Sequence, residues 1–102
     1  MKAQASQAPE PIKDLGRLKR FNFNIEEKSM EDDTIFKFEY VTSSNNRNAL
    51  ITALIRRKYT SDDEIALINN YQDGEASHVE EYEEYQAYRN ECKTIANQFF
   101  PV

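Results

Sequence analysis

The chain has 102 residues, with 18 Asp and Glu against 13 Lys and Arg, for a net charge of −5. That length suits one domain with a modest core, and the acidic balance argues against a generic phosphate-binding surface, which needs clustered Lys and Arg. A single cysteine, Cys92, excludes an intrachain disulfide and points to the reducing cytoplasm, and no run approaches the ~18 apolar residues of a membrane span.

Residues 1–11 are rich in Ala, Gln and Ser and hold Pro9 and Pro11. They lack the apolar centre of a secretory signal, and their composition predicts a flexible tail preceding one α+β domain over 12–102. Ile12, Leu15 and Leu18 have helical spacing that Gly16 interrupts, so 12–19 reads as either helix or extended lead-in. Lys13, Arg17, Lys19 and Arg20 make this stretch locally basic.

Phe21, Phe23 and Ile25 alternate with polar residues, predicting a strand over about 20–27 with one buried face. Alternation resumes over about 34–42, with Phe36, Phe38 and Tyr40 on one face and Ile35, Lys37, Glu39 and Val41 on the other. The pair reads as a β-hairpin joined by a charged connection. A lone hairpin is marginal in water, so its aromatic face is expected to pack on helices, with an edge free to pair with another strand or a second copy.

Three helices follow, at about 46–58, 62–73 and 78–98. Leu50, Ile51, Leu54 and Ile55 line the first, which ends in Arg56, Arg57 and Lys58, cations that suit the negative end of a helix dipole. Ser61 with Glu64 predicts a capping box for the second, which runs through Ile65, Ala66, Ile68 and Tyr71 to a left-handed cap at Gly74. Ser77 with Glu80 predicts the same device for the third. Its stripe is Val79, Tyr82, Tyr85, Arg89, Cys92, Ile95, Ala96 and Phe99. Tyr82 and Tyr85 share the inward face, while Tyr88 lies towards the flank.

No set of residues assembles a recognisable catalytic or cofactor site, and a non-enzymatic protein without cofactor or metal is expected. Asn69, Asp73, Gly74 and Glu80 match several slots of a calcium-binding helix-loop-helix, but Tyr71 occupies a ligand slot where a carboxylate belongs. His78 with Glu81 makes half a metal site, and no second histidine completes it. Cys92 on an apolar stripe reads as packing, since His78 lies about four turns away on the same helix. Gly-rich phosphate loops and Ser-His-Asp sets are lacking. A nucleic-acid-associated regulator would use Arg17 to Arg20 with Arg56 to Lys58, on two helices of helix-turn-helix length. The second of these opens with Asp62, Asp63 and Glu64, which would face phosphates where donors belong.

The order Arg56-Arg57-Lys58-Tyr59, Ile65-Ala66-Leu67-Ile68, an asparagine pair and the Glu/Tyr-rich run 81–89 ending near Cys92-Lys93 resembles small prophage and phage-like proteins of gut bacteria. The resemblance covers about two-fifths of the 102 residues. It implies a structural, assembly or accessory role and carries over no catalytic residue. The expected function is therefore protein interaction, with a protein partner or self-association and no membrane. Tyr82, Tyr85, Tyr88, Glu81 and Glu84 are the expected partner surface, because amphipathic aromatics give contact area at low entropy cost.

Overall fold

A computed structural model describes residues 2–29, 31 and 33–101. It shows an α+β chain with four antiparallel strands followed by three helices: β1 (Lys2–Ala5), β2 (Ile12–Asp14), β3 (Lys19–Ser29), β4 (Thr34–Ser43), α1 (Arg47–Ile55), α2 (Ser61–Tyr71) and α3 (Ala76–Phe99). Two compact units divide it, residues 1–50 and 51–102, with the division inside α1. Among the described residues no helix is long and apolar enough to cross a membrane.

The hairpin predicted from alternation is β3–β4, and it gains a strand on each side to give the order β1-β4-β3-β2. Residues 2–5, which composition reads as tail, form β1 against Glu39 to Phe36 of β4. Main-chain bonds to a strand edge need no apolar alternation, so composition carries no sign of them. Residues 12–14 are extended and pair with Phe21 to Lys19. The β2–β3 turn closes because the Asp14 carboxylate accepts the Gly16 N–H at 2.8 Å and Gly16 takes φ +90°, a value that favours glycine. Lys19 reaches back to Asp14 at 2.8 Å and holds the turn from the strand side.

Register divides the aromatic residues between the two faces. Phe21 lies opposite Val41 and Asn22 opposite Tyr40, and directly opposed residues share a face. Phe21, Phe23 and Val41 therefore occupy one side, while Phe38 and Tyr40 occupy the other with Asn22 and Arg20. Both faces carry buried residues, among them Phe21, Phe23, Phe38 and Val41, so the sheet has no single aromatic face. A bulge between Phe23 and Glu26 then shifts the phase. Asn24 forms it at φ 51°, a left-handed conformation that Asn tolerates, and its amide donates to Glu39 at 2.5 Å. Ile25, expected in phase with Phe21 and Phe23, falls in the bulge and is exposed.

Because β1 and β2 lie on opposite edges, residues 6–11 cross the sheet on the Tyr40 side. Buried Asn22 anchors the crossing, its amide donating to the Glu10 carbonyl at 2.7 Å and its oxygen accepting from Arg20 at 3.2 Å. The Arg20 guanidinium stacks over Tyr40 at 4.1 Å. Asn22→Ala should cost about 1–2 kcal/mol by removing a buried amide that bonds both the Glu10 carbonyl and Arg20. Amide exchange should rise across residues 2–14 and stay unchanged in α3. Uniform exchange change, or none, would contradict the anchoring role.

Candidate functional site

In the helical unit the residues singled out from sequence meet around one carboxylate. The α2 capping box forms one residue earlier than expected: Thr60 Oγ1 accepts the Asp63 N–H at 3.1 Å, and Asp63 accepts the Thr60 N–H at 2.9 Å. These bonds, with the Thr60 backbone foremost, hold the Asp63 carboxyl below its usual range. The one-residue shift releases Glu64 from capping. Glu64 instead accepts the Tyr85 hydroxyl of α3 and the Arg56 guanidinium that follows α1. Burial raises the Glu64 carboxyl, but the bonds from Tyr85 and Arg56 and the charges of Arg56 and Arg89 outweigh it and hold it low. Burial, then the bond to Glu64, pushes Tyr85 up to about 12. One carboxylate thus ties three helical segments together.

Around it stand five of the six tyrosines. Tyr59 meets Tyr85 edge-on at 5.1 Å and Tyr88 at 5.6 Å, and Tyr71 stacks on Tyr82 at 4.2 Å. Arg89 lies over the Tyr85 ring at 5.7 Å, with its Nε buried and unbonded. Lys58 sits 5.1 Å from the Tyr88 ring centre. Regular α1 ends at Ile55, and the cations expected in its last turn follow it in a hydrogen-bonded turn. There Arg57 Nε and the Tyr88 hydroxyl both donate to the Leu54 carbonyl, at 3.1 and 3.2 Å, beside the Arg57 N–H at 3.3 Å.

This cluster redistributes the expected partner surface. Tyr85 is 1% exposed and offers no contact area, and Tyr88 is half-buried with its hydroxyl engaged. Tyr82 is half-buried behind Tyr71, while Glu81 and Glu84 are exposed. What remains open is α2. It contains no buried residue, and Ile65, Ile68 and Tyr71 are 57, 45 and 43% exposed. At three-residue steps, Ile65, Ile68 and Tyr71 drift slowly round α2, so neighbours among them share a side. Residues 51–102 hold ten acidic and five basic side chains, so the whole net charge of −5 falls in this unit.

The metal readings meet a different geometry. Asn69 to Tyr71 are helical and α3 starts at Ala76, so only residues 72–75 separate the helices where a calcium loop needs twelve. The α3 N-cap is Glu75, which makes no side-chain cap bond, and the Ser77–Glu80 box does not form. Asp73 supplies the start instead, accepting the Glu75 N–H at 2.8 Å and facing His78 Nδ1 at 2.7 Å. Gly74, between them, takes φ +74°. Asp73, Glu75 and His78 bring ligand-type atoms within 4.8 Å of one another, but they sit at a positive helix end that disfavours a cation.

Asp73 lifts the His78 pKa above its ordinary 6.5. A raised histidine contributes stability fully below its unfolded value and loses it as pH rises through the folded value. Protection of the first α3 turn against amide exchange should therefore be full below the ordinary histidine value of about 6.5 and fall as pH rises above it. His78→Gln should flatten that profile; an unchanged profile would contradict the contact.

Several other reactive or charged groups are occupied. Cys92 is fully buried, and burial pushes its thiol pKa up, which disfavours the nucleophilic thiolate. Of the cations assigned to nucleic acid, Lys19 pairs with Asp14, Arg20 covers Tyr40, Arg56 binds Glu64 and Lys58 stacks on Tyr88. Beside the sheet bulge, a concavity of about 520 Å³ mixes Lys2 and Lys37 with Glu26 and Glu39, so it presents no field of one sign. No family model matches the chain, and no curated protein and no solved structure matches it either.

Proposed function

We propose that this protein is a non-enzymatic protein-interaction module that docks a partner on the outer side of α2. One observation carries the reading: an amphipathic helix leaves Ile65 and Ile68 exposed, with Tyr71 partly open beside them and stacked on Tyr82, and buries none of its residues. Large apolar side chains grouped on one element are the usual mark of a contact surface. The surrounding acidic excess favours a partner that presents apolar side chains within a basic rim. Tyr82, stacked on Tyr71, extends this face towards Glu81 and Glu84, so part of the surface read from α3 is retained.

The non-enzymatic part rests on how the reactive groups are used, with Cys92 buried as a thiol and His78 facing Asp73. The single free cysteine supports placement in the cytoplasm. An accessory or assembly role, phage-derived, is what the resemblance of residues 55–96 implies. The test is partner capture by wild-type protein and by variants of Ile65 and Ile68. Equal capture by both would overturn the reading.

A further inference from the structure

Among the described residues β2 pairs with β3 at Lys19 to Phe21 and the Asn22 N–H bonds the Pro11 carbonyl, so beyond the bulge Glu26 to Ser29 pair with β4 on one side alone. Asn24 to Ser29 are all exposed. A strand edge offers unpaired N–H and C=O groups to any extended segment, and charged side chains normally discourage such pairing. Here the charges alternate in sign along one face: Glu26 lies opposite Lys37 of β4, and Lys28 lies opposite the uncharged Ile35.

We propose that this edge pairs with the same edge of a second copy, antiparallel about a two-fold axis through Glu27, giving one eight-stranded sheet. In that register Glu26 faces Lys28 of the partner subunit, and the symmetry repeats the pair, so two opposite-charge pairs form at once. Shifting the axis to Glu26 sets Glu26 against its own copy and leaves Lys28 facing Asn24. An axis between Glu26 and Glu27 would oppose residues from different faces, which an antiparallel pair does not permit. Charge complementarity therefore selects both the occupant and the register. Ile25 falls opposite Ser29 on the other face, and Glu27 facing its own copy is the one unfavourable pair. The contact is independent of the α2 face, and it falls short of the ~1,200 Å² of a standard interface, so a weak dimer results.

Sedimentation equilibrium from about 10 μM to about 1 mM tests this directly. Wild-type chain should dimerise within that range, and Lys28→Glu should weaken association at least about tenfold. Glu26→Lys combined with Lys37→Glu, which keeps opposite charges across β3 and β4, should do the same. Mixing these two self-repelling variants should restore dimers, because each Glu then faces a Lys. Glu27→Gln should strengthen the wild-type dimer, and Ile68→Glu should leave it unchanged. A wild-type chain that stays monomeric, variants that dimerise undiminished, or a mixture that fails to associate would overturn the proposal. Loss of dimers in Ile68→Glu would do so too, by moving self-association to the helix face.

Discussion

Tyr85→Ala is expected to remove about 3–5 kcal/mol, the range for deleting a buried aromatic ring, and so to leave the helical unit largely unfolded. Tyr85 is 1% exposed, its ring meets Tyr59 edge-on at 5.1 Å, and its hydroxyl serves Glu64. Tyr85→Phe separates the ring from the hydroxyl. It keeps the packing and leaves Glu64 bonded to Arg56, so the loss should be about 1.5–3 kcal/mol, that of a hydrogen bond to a charged group. Urea unfolding followed by helical circular dichroism reads both. A loss below about 1 kcal/mol for Tyr85→Ala would mean that the tyrosine cluster does not hold the helices.

Glu64→Gln is the complementary case, since it keeps shape and acceptor capacity while removing the charge that Arg56 and Arg89 surround. Its cost should lie between those of the two Tyr85 variants. The carboxyl is held low in the fold, so the contribution is present above the unfolded value and is lost as pH falls through the folded one. Acid should therefore erase the difference between wild type and Glu64→Gln. The arrangement depends on the Thr60–Asp63 capping box: had Ser61 and Glu64 formed it, the hub would have no acceptor.

Ile65→Glu with Ile68→Glu should behave in the opposite way, with stability within about 0.5 kcal/mol per site and partner capture falling at least tenfold. Both side chains already face solvent, so charge there costs little folding energy. The same charge at the centre of an apolar contact leaves a desolvated, unpaired carboxylate in the complex. Substituting Glu84, exposed on α3, should alter capture less and mainly through its salt dependence, as rim charges do.

Much of this fold is legible in the sequence, because period-two and period-3.6 patterns follow directly from backbone geometry. The β3–β4 hairpin and all three helices appear where Phe21 to Tyr40 and Leu50 to Phe99 place them. Less legible were features set by main-chain pairing. β1 is held by its bonds to β4, and the alanines at 3 and 5 carry no signature of that. The division of Phe21 and Phe38 between faces depends on register, which neither strand encodes alone. The two capping boxes expected at Ser61 and Ser77 did not form: Thr60 caps α2 one residue earlier through the Asp63 N–H, and α3 starts at Ala76, before Ser77, with Asp73 accepting the Glu75 N–H.

For the site, the sequence places the expected partner surface on α3, where Glu81 and Glu84 are exposed, Tyr82 and Tyr88 half-buried and Tyr85 buried. Excess tyrosine on α3 suggested a surface, yet Tyr85 and Tyr88 engage Glu64 and the end of α1. Ile65 and Ile68 have the spacing of a core stripe, and period alone cannot say whether a stripe meets a neighbour or solvent.

The central claim is that α2 presents the docking face, and site-specific photocrosslinking in the producing cells tests it most directly. A photoreactive residue at position 68 should yield one discrete adduct, absent when Ile65 is replaced by Glu, while the same probe at position 87, on the exposed side of α3, should yield none. No adduct from position 68, or the same adduct from position 87, would contradict the account.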